Sequence, residues 1–282
     1  MSSSTPALRA PRPGRWAINL LMILGGLAMF APILWTAVTA LLPAREAYQL
    51  PPHWIPTNAT FGNVEQVFKV IPFAQQILNS VKVAGLVTIG SLATSALAAY
   101  AFARLRFPGR DVLFVVVLGA LMIPQQVTVI PTFWLMRQLH LLDNHAALIL
   151  PGLVNVLGIF MLRQFFLTLP RSLDEAARID GAGHLRVLVQ IILPLSAPPL
   201  SALGIFIFQY YWNDFFWPNI FLQSADKLTV PVGLVNLQGL YGSSPAVVTF
   251  AAVSVIAVPL LVLFIFSQRA FTEGIALTGI RR

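Results

Sequence analysis

The sequence predicts an all-α integral membrane protein with six transmembrane helices, both termini cytoplasmic, and a helical hairpin on the cytoplasmic side. Three observations predict it. Of 282 residues, 57% are hydrophobic and only 10% charged, against about a quarter charged in ordinary soluble domains. The mean hydropathy is +0.78, so there is too little charge to cover a water-facing surface. Finally, six apolar runs each approach the roughly 20 residues that cross a bilayer as helix.

The six spans are expected at about 17–42, 77–103, 112–135, 146–166, 195–222 and 246–267, flanked by a tail at 1–16 and another at 269–282. The first has Arg9, Arg12 and Arg15 before it. It exceeds the h-region of a signal peptide and shows no small-x-small cleavage site, so it reads as a retained helix. Thirteen Lys and Arg residues fall on one set of connectors and four on the alternate set. That asymmetry places both termini and the loop at 172–194 inside the cell. It also accounts for the net charge of +8 without invoking nucleic acid.

The connectors differ in character. Prolines at 43, 51, 52 and 56 prevent a continuous helix after the first span. Trp54 and Phe61 suit a membrane interface, and 64–73 suits a short helix on the membrane. Span two carries Ala84, Gly85, Gly90, Ser91, Ser95, Ala96 and Ala99, small residues that let helices pack closely. Pro108-Gly109 breaks the chain within a basic turn. Pro124, followed by Gln125 and Gln126, kinks span three. Span five contains Trp212, Asn213 and Asp214. A carboxylate within a membrane faces either a polar cavity or a local partner; both readings remain open for Asp214. The outer connector 223–245, with Leu237, Gly239 and Tyr241, is long enough to touch an extracellular partner.

The loop at 172–194 is the longest inner connector. Ser172-x-x-Glu175 has the spacing of a capping box. Leu173, Ala176, Ala177 and Ile179 give a short amphipathic helix. Asp180-Gly181 signals a turn, and a second helix runs from about Gly183 toward Pro194. A shallow apolar helix with one acid fits a groove on another protein.

These residues carry a resemblance. E-A-A-R-I-D-G-A-G followed by I-I-L-P resembles the EAA motif of ABC importer permeases. P-P-x-W-x-P at 51–56, A-A-Y-A-F-A-R-L-R-F-P-G-R at 98–110, L-R-Q-F-F at 162–166, W-N-D-F-F-W-P at 212–218 and Q-R-A-F-T-E-G at 268–274 are similar to carbohydrate permeases of the maltose transporter's second-subunit type. The resemblance implies a sugar importer in the prokaryotic cell membrane. It implies a related second permease, two ATPase subunits that carry ATP and Mg, and an extracellular substrate-binding protein. It places Glu175, Ala176, Ala177, Asp180 and Gly181 at the contact with the ATPase, and the outer connector, with Leu237, Gly239 and Tyr241, near the binding protein. Related permeases handle glycerophosphodiesters, polyols and amino sugars.

Other classes fit less well. Cysteine is absent, which removes disulfides and thiol chemistry. No H-E-x-x-H or G-x-S-x-G occurs, and the histidines at 53, 140, 145 and 184 are scattered. A phosphate-binding loop needs Gly-Lys-Ser/Thr, yet none of Lys69, Lys82 and Lys227 has that context. The chain is expected to bind no cofactor or metal of its own. An ion-coupled carrier would show repeats and buried coupling charges; Asp214 stands without an evident repeat.

Overall fold

The computed structural model describes residues 15–47, 58–239 and 246–279, excluding the side chains of residues 15, 17, 239 and 266–279. Residues 1–14 of the tail expected at 1–16, Trp54, Tyr241 and the last three residues lie outside the described residues. The chain divides into two compact units, residues 1–67 with 244–254 and residues 68–243 with 255–282.

In the first unit, α1 spans Arg15–Leu41. Its last carbonyls would lack intrahelical donors. Asn63 supplies two, its Nδ2 donating to Ala40 O and Leu42 O at 2.8 Å each. Asn63 opens α2 (Gly62–Val70), the short helix expected at 64–73.

In the second unit, α3 (Phe73–Arg104) is the central helix. It packs against α7 (Val156–Thr168) and α11 (Ala197–Trp212). The small residues of span two line this packing. Ala84, Ser91, Ser95, Ala96 and Ala99 are buried, and Ser95 Oγ lies 2.8 Å from where a Cβ on Gly158 of α7 would stand. Phe166, Leu162, Leu203 and Ile207 complete the core between the three helices.

Among the described residues, four helices are long and apolar enough to cross a membrane: Ile18–Leu41, Phe73–Arg104, Ala146–Thr168 and Ala246–Ile265. Two bent pairs bring the number to as many as six. The third expected span is broken rather than kinked. α4 (Arg110–Gly119) runs into a 3₁₀ turn ending at Met122, and α5 (Val129–Gln138) follows a second 3₁₀ turn. The two halves meet at 92°. Proline drives its preceding residue away from helix, and Ile123 and Pro124 are both extended.

The fourth span joins α6 (Ala146–Gly152) to α7, with Asn155 accepting from Gly158 N at 2.7 Å. α8 (Ser172–Ile179) and α9 (His184–Val187) follow, and α9 continues as a π-helix over Leu188–Ile192 into α10 (Leu193–Leu195). Pro194 has no N–H and crowds the carbonyl four residues back, which lies inside the π segment. The helix then turns by 83° into α11 at Ser196, whose Oγ donates to Ile192 O at 2.7 Å. The expected continuous span 195–222 is therefore two helices, α11 and α12 (Phe216–Phe221).

Residues 223–229 connect to α13 (Val230–Gly239). The last helix, α14 (Ala246–Gly279), passes through Pro259 and runs well beyond the expected end of span six.

Candidate functional site

The α8–α9 hairpin is shaped by its turn. α8 ends with Gly181 at φ +80°, a left-handed conformation open to glycine at little steric cost. Ala182 N donates to Ala177 O at 2.9 Å, and Gly181 N to Arg178 O at 3.0 Å. This pair of bonds is a Schellman termination. Open space surrounds the Gly181 Cα, so the backbone torsion, not crowding, requires glycine here.

The helical repeat then sorts α8 into two faces. Leu173, Asp174 and Ala177 turn inward and are half-buried. Ser172, Glu175, Ala176 and Ile179 are exposed, and Ile179 is 87% exposed. The Glu175 carboxylate has no partner among the described residues. Two expectations are corrected here. Ser172 does not cap α8, because the helix begins one residue earlier than a capping box needs: Arg171 is the flanking residue and no side chain caps the end. Ala177, expected at the outer contact with Ala176, turns inward instead, so the two alanines of the motif are divided between the faces.

Asp174 has a role that motif reading missed. Its Oδ2 lies 3.1 Å from Arg104 Nη1, and both side chains are largely buried. Arg104 Nη2 also donates to Leu169 O at 2.9 Å. The last residue of α3 thus holds both the end of the α7 segment and the first turn of α8. The sequence signal was available: Asp174 shares a face with Leu173 and Ala177, and Arg104 closes a long helix.

The second candidate region is a cavity of about 220 Å³ between α5, α6, α11 and α12. Its polar lining comprises Gln125, Thr128, Thr132, Tyr211 and Asp214, with Trp217 beside them. Tyr210 O–H donates to Gln125 Oε1 at 2.8 Å. The break at Pro124 is what brings Gln125 to α11, and sequence reading, which expected a kink, could not place it there. Of the three residues singled out in span five, one lines this cavity. Trp212 is buried and stacks on Phe208 at 5.8 Å. Asn213 Nδ2 donates to Gln209 O at 2.8 Å. Asp214 lines the cavity while its Oδ1 accepts from Phe216 N at 3.0 Å and Trp217 N at 3.3 Å. It therefore caps the first turn of α12 as well as facing the cavity.

On the far side from the hairpin, the connector after α12 is fastened rather than free. Asp143 accepts from Gln223 N at 2.9 Å, Ser224 N at 3.0 Å and Lys227 Nζ at 2.9 Å. Its other partner is the Ser224 hydroxyl. These hydrogen bonds, the Ser224 hydroxyl foremost, hold the Asp143 carboxyl well below the usual carboxylate range. Asn79 Nδ2 donates to Asp226 O and Leu228 O, and Val230 N donates to Ser80 Oγ. The outer connector expected at 223–245 is thus fastened to the helices at 223–230. Leu237 is fully buried, which removes its side chain from a partner-contacting surface. Gly239 ends α13, and Tyr241 lies outside the described residues.

The long described helices are apolar, two helix pairs are sharply bent, and the amphipathic hairpin lies between α7 and α11. The chain belongs to the family of binding-protein-dependent transport system inner membrane components, whose model matches residues 91–276. It is accordingly a multi-pass inner-membrane permease subunit of an ABC importer. Among its relatives are the sn-glycerol-3-phosphate transport system permease proteins UgpE of Pectobacterium atrosepticum and Yersinia pestis. Each is 33% identical over 264 residues, covering 91% of this chain and 94% of the relative. The fold matches a chain of a bacterial ABC transporter involved in the import of the acidic polysaccharide alginate, with a TM-score of 0.81 and 24% identity. The match covers 93% of this chain and 99% of that one. A second alginate transporter structure, in complex with a pentasaccharide-bound periplasmic protein, matches with a TM-score of 0.62 and 17% identity over 90% and 94% of the two chains.

Proposed function

We propose that this chain forms half of the translocation pathway of a sugar importer and couples to a separate ATPase through the α8–α9 hairpin. The observation that carries the reading is the outward face of α8: Glu175 without a partner beside exposed Ala176 and Ile179, backed by an inward face tied down at Asp174. An exposed apolar helix face with one acid, on a rigid support, is suited to a groove in another protein. In this reading the hairpin and both termini are cytoplasmic. A related permease completes the pathway, and an ATPase pair carries ATP and Mg. An extracellular binding protein delivers the substrate, and this chain binds no cofactor itself. Asp180 and Gly181 serve by shaping the turn that presents the helix.

A neutral, hydroxyl-rich substrate is favoured by the cavity at Asp214. Its polar lining of amide, hydroxyl and carboxylate groups contains no Lys or Arg among the described residues. A second reading, a glycerol phosphate or glycerophosphodiester, is favoured by the relatives named above; the cation for the phosphate would then come from the partner permease. The test has two parts. Glu175→Lys should abolish ATPase co-purification and uptake together; unchanged assembly and uptake would remove the hairpin as the coupling element. Uptake into proteoliposomes of the complete importer, loaded with its binding protein, should favour labelled neutral sugars. Uptake of sn-glycerol-3-phosphate alone would select the second reading.

A further inference from the structure

Behind the hairpin, between α8 and the turn that follows α3, lies a cleft of about 470 Å³ lined by Arg104, Arg106, Arg171, Arg178, His184, Asp174 and Glu175, with Tyr100, Leu105 and Phe107. Its charges do not balance internally. Asp174 is committed to Arg104, and with Glu175 counted at the cleft's edge four arginines still face two carboxylates. Arg178 sits 2.9 Å from His184 Nδ1, a neighbour that supplies no negative charge. Arg106 and Arg171 are exposed, and their guanidinium groups have no hydrogen bond or ion pair among the described residues. Arg104 Nε is buried without an acceptor. A neighbouring cleft of about 540 Å³ shares Arg106, Phe107 and Arg171 and adds Arg110, Asp111 and Val112. Asp111 is paired with Arg110 at 3.0 Å, so it does not neutralise the shared arginines.

We propose that this double cleft binds a phosphate group, supplied by the headgroup of an anionic phospholipid. Guanidinium forks suit phosphate oxygens, and basic pockets at the cytoplasmic ends of membrane helices take anionic headgroups. The choice of a lipid over a free anion rests on what adjoins the arginines. The second cleft opens onto Val112, and Val112, Val115 and Val116 are each at least 65% exposed. Their spacing places them on one face of α4. An acyl chain can lie along that stripe while its phosphate sits between Arg106 and Arg171; a free phosphate gains nothing from it. The proposal uses the inward placement of the hairpin given above only to name the leaflet.

The test uses the assembled importer, with its second permease and ATPase, in nanodiscs of phosphatidylcholine containing a minor fraction of phosphatidylglycerol. Native mass spectrometry reads retained lipid, and a spin-labelled phosphatidylglycerol reads affinity. Arg106→Ala with Arg171→Ala should weaken phosphatidylglycerol binding about thirtyfold, the product of two arginine contributions near a membrane surface. Arg106→Lys with Arg171→Lys should restore most of it, and neither residue is buried, so assembly should be unaffected. Excess inorganic phosphate should leave the lipid in place. Equal lipid retention by wild type and the alanine pair overturns the proposal. Displacement by inorganic phosphate overturns the lipid source. Lipid binding seen only after the ATPase is stripped away overturns it too, because protein then fills the cleft in the working importer.

Discussion

Asp174 of the hairpin and Arg104 at the end of the central helix form a 3.1 Å ion pair that water scarcely reaches. The pair is the side-chain tie between α8 and the long helix that carries the core. Any displacement of α8 by a docked partner must therefore be felt at the end of α3. Because α3 also packs on α7 and α11, the pair offers a direct route from the hairpin into the bundle.

Breaking one side of this pair should be costly. Asp174→Ala leaves Arg104 buried without its counter-charge, which in comparable sites costs about 3 kcal/mol. The purified importer should melt at lower temperature and transport should fall. Replacing both residues together by Leu and Met should recover much of the stability, since no buried charge is then left unpaired. Equal melting temperatures for the single and double variants would show that the charge pair is not what holds α8.

Gly181 should respond to backbone shape rather than to side-chain size. Its φ of +80° costs an L-residue about 1–2 kcal/mol, while the space around it is open. Asn tolerates this region better than other non-glycine residues. Uptake should rank wild type, then Gly181→Asn, then Gly181→Ala, with Gly181→Val lowest. A ranking by volume alone, with Ala above Asn, would indicate a crowded contact with a partner instead.

The hairpin's turn and end were legible because their signals are local, Asp-Gly at the stop and a proline at the end of the second helix; its start was misplaced by one residue, since the capping-box spacing put Ser172 outside α8. Local signals also mark the central helix, where small residues recur along one side of an apolar run. Asp214 was legible as an anomaly but not as a cap, since hydropathy treated 195–222 as one span and gave no reason to begin a new helix at Phe216. The 92° break at Pro124 was legible only as a kink. Proline fixes where a helix is interrupted, whereas the angle depends on packing. The Asp143 latch was not legible at all: its partners stand about 80 residues away, and no local pattern connects them.

Asp214 can be divided into its two roles by substitution. Its Oδ1 caps α12 through two backbone N–H groups, and losing such a cap costs about 1 kcal/mol. Asp214→Asn keeps an acceptor oxygen and removes the charge. If the cap is what transport needs, Asn should transport as wild type does and Ala should be impaired. If the charge acts in the cavity, both variants should lose uptake or change sugar preference to the same degree.

Gly233 of α13 faces the buried carboxamide of Gln76, and a Cβ built there would overlap that group. Gln76 is 1% exposed, so it has little room to withdraw. Gly233→Ala should destabilise the importer by about 1–3 kcal/mol, the usual range for overpacking. Gln76→Ala in the same chain should relieve it, giving a double variant more stable than Gly233→Ala alone. Thermal melting of the detergent-solubilised complex reads the comparison; an additive pair would mean the two residues do not meet.

The Asp143 latch makes a pH prediction. The carboxylate accepts hydrogen bonds from the Ser224 hydroxyl and amide, the Gln223 amide and the Lys227 ammonium, in that order of weight, and its pKa is lowered from the usual 3.8. A lowered folded-state value means that the latch's contribution is fully present above the unfolded value. It is lost only as pH falls from there through the folded one. The connector at 223–227 should therefore stay protected from amide exchange throughout the neutral and mildly acidic range, and loosen only in acid stronger than about pH 4. Asp143→Asn should weaken it at every pH, because the amide brings no charge to Lys227 and can place only one oxygen against these donors. Hydrogen exchange across 223–227 reads this. Loss of protection between pH 7 and 5 in the wild type would mean that the Asp143 carboxylate does not govern the latch.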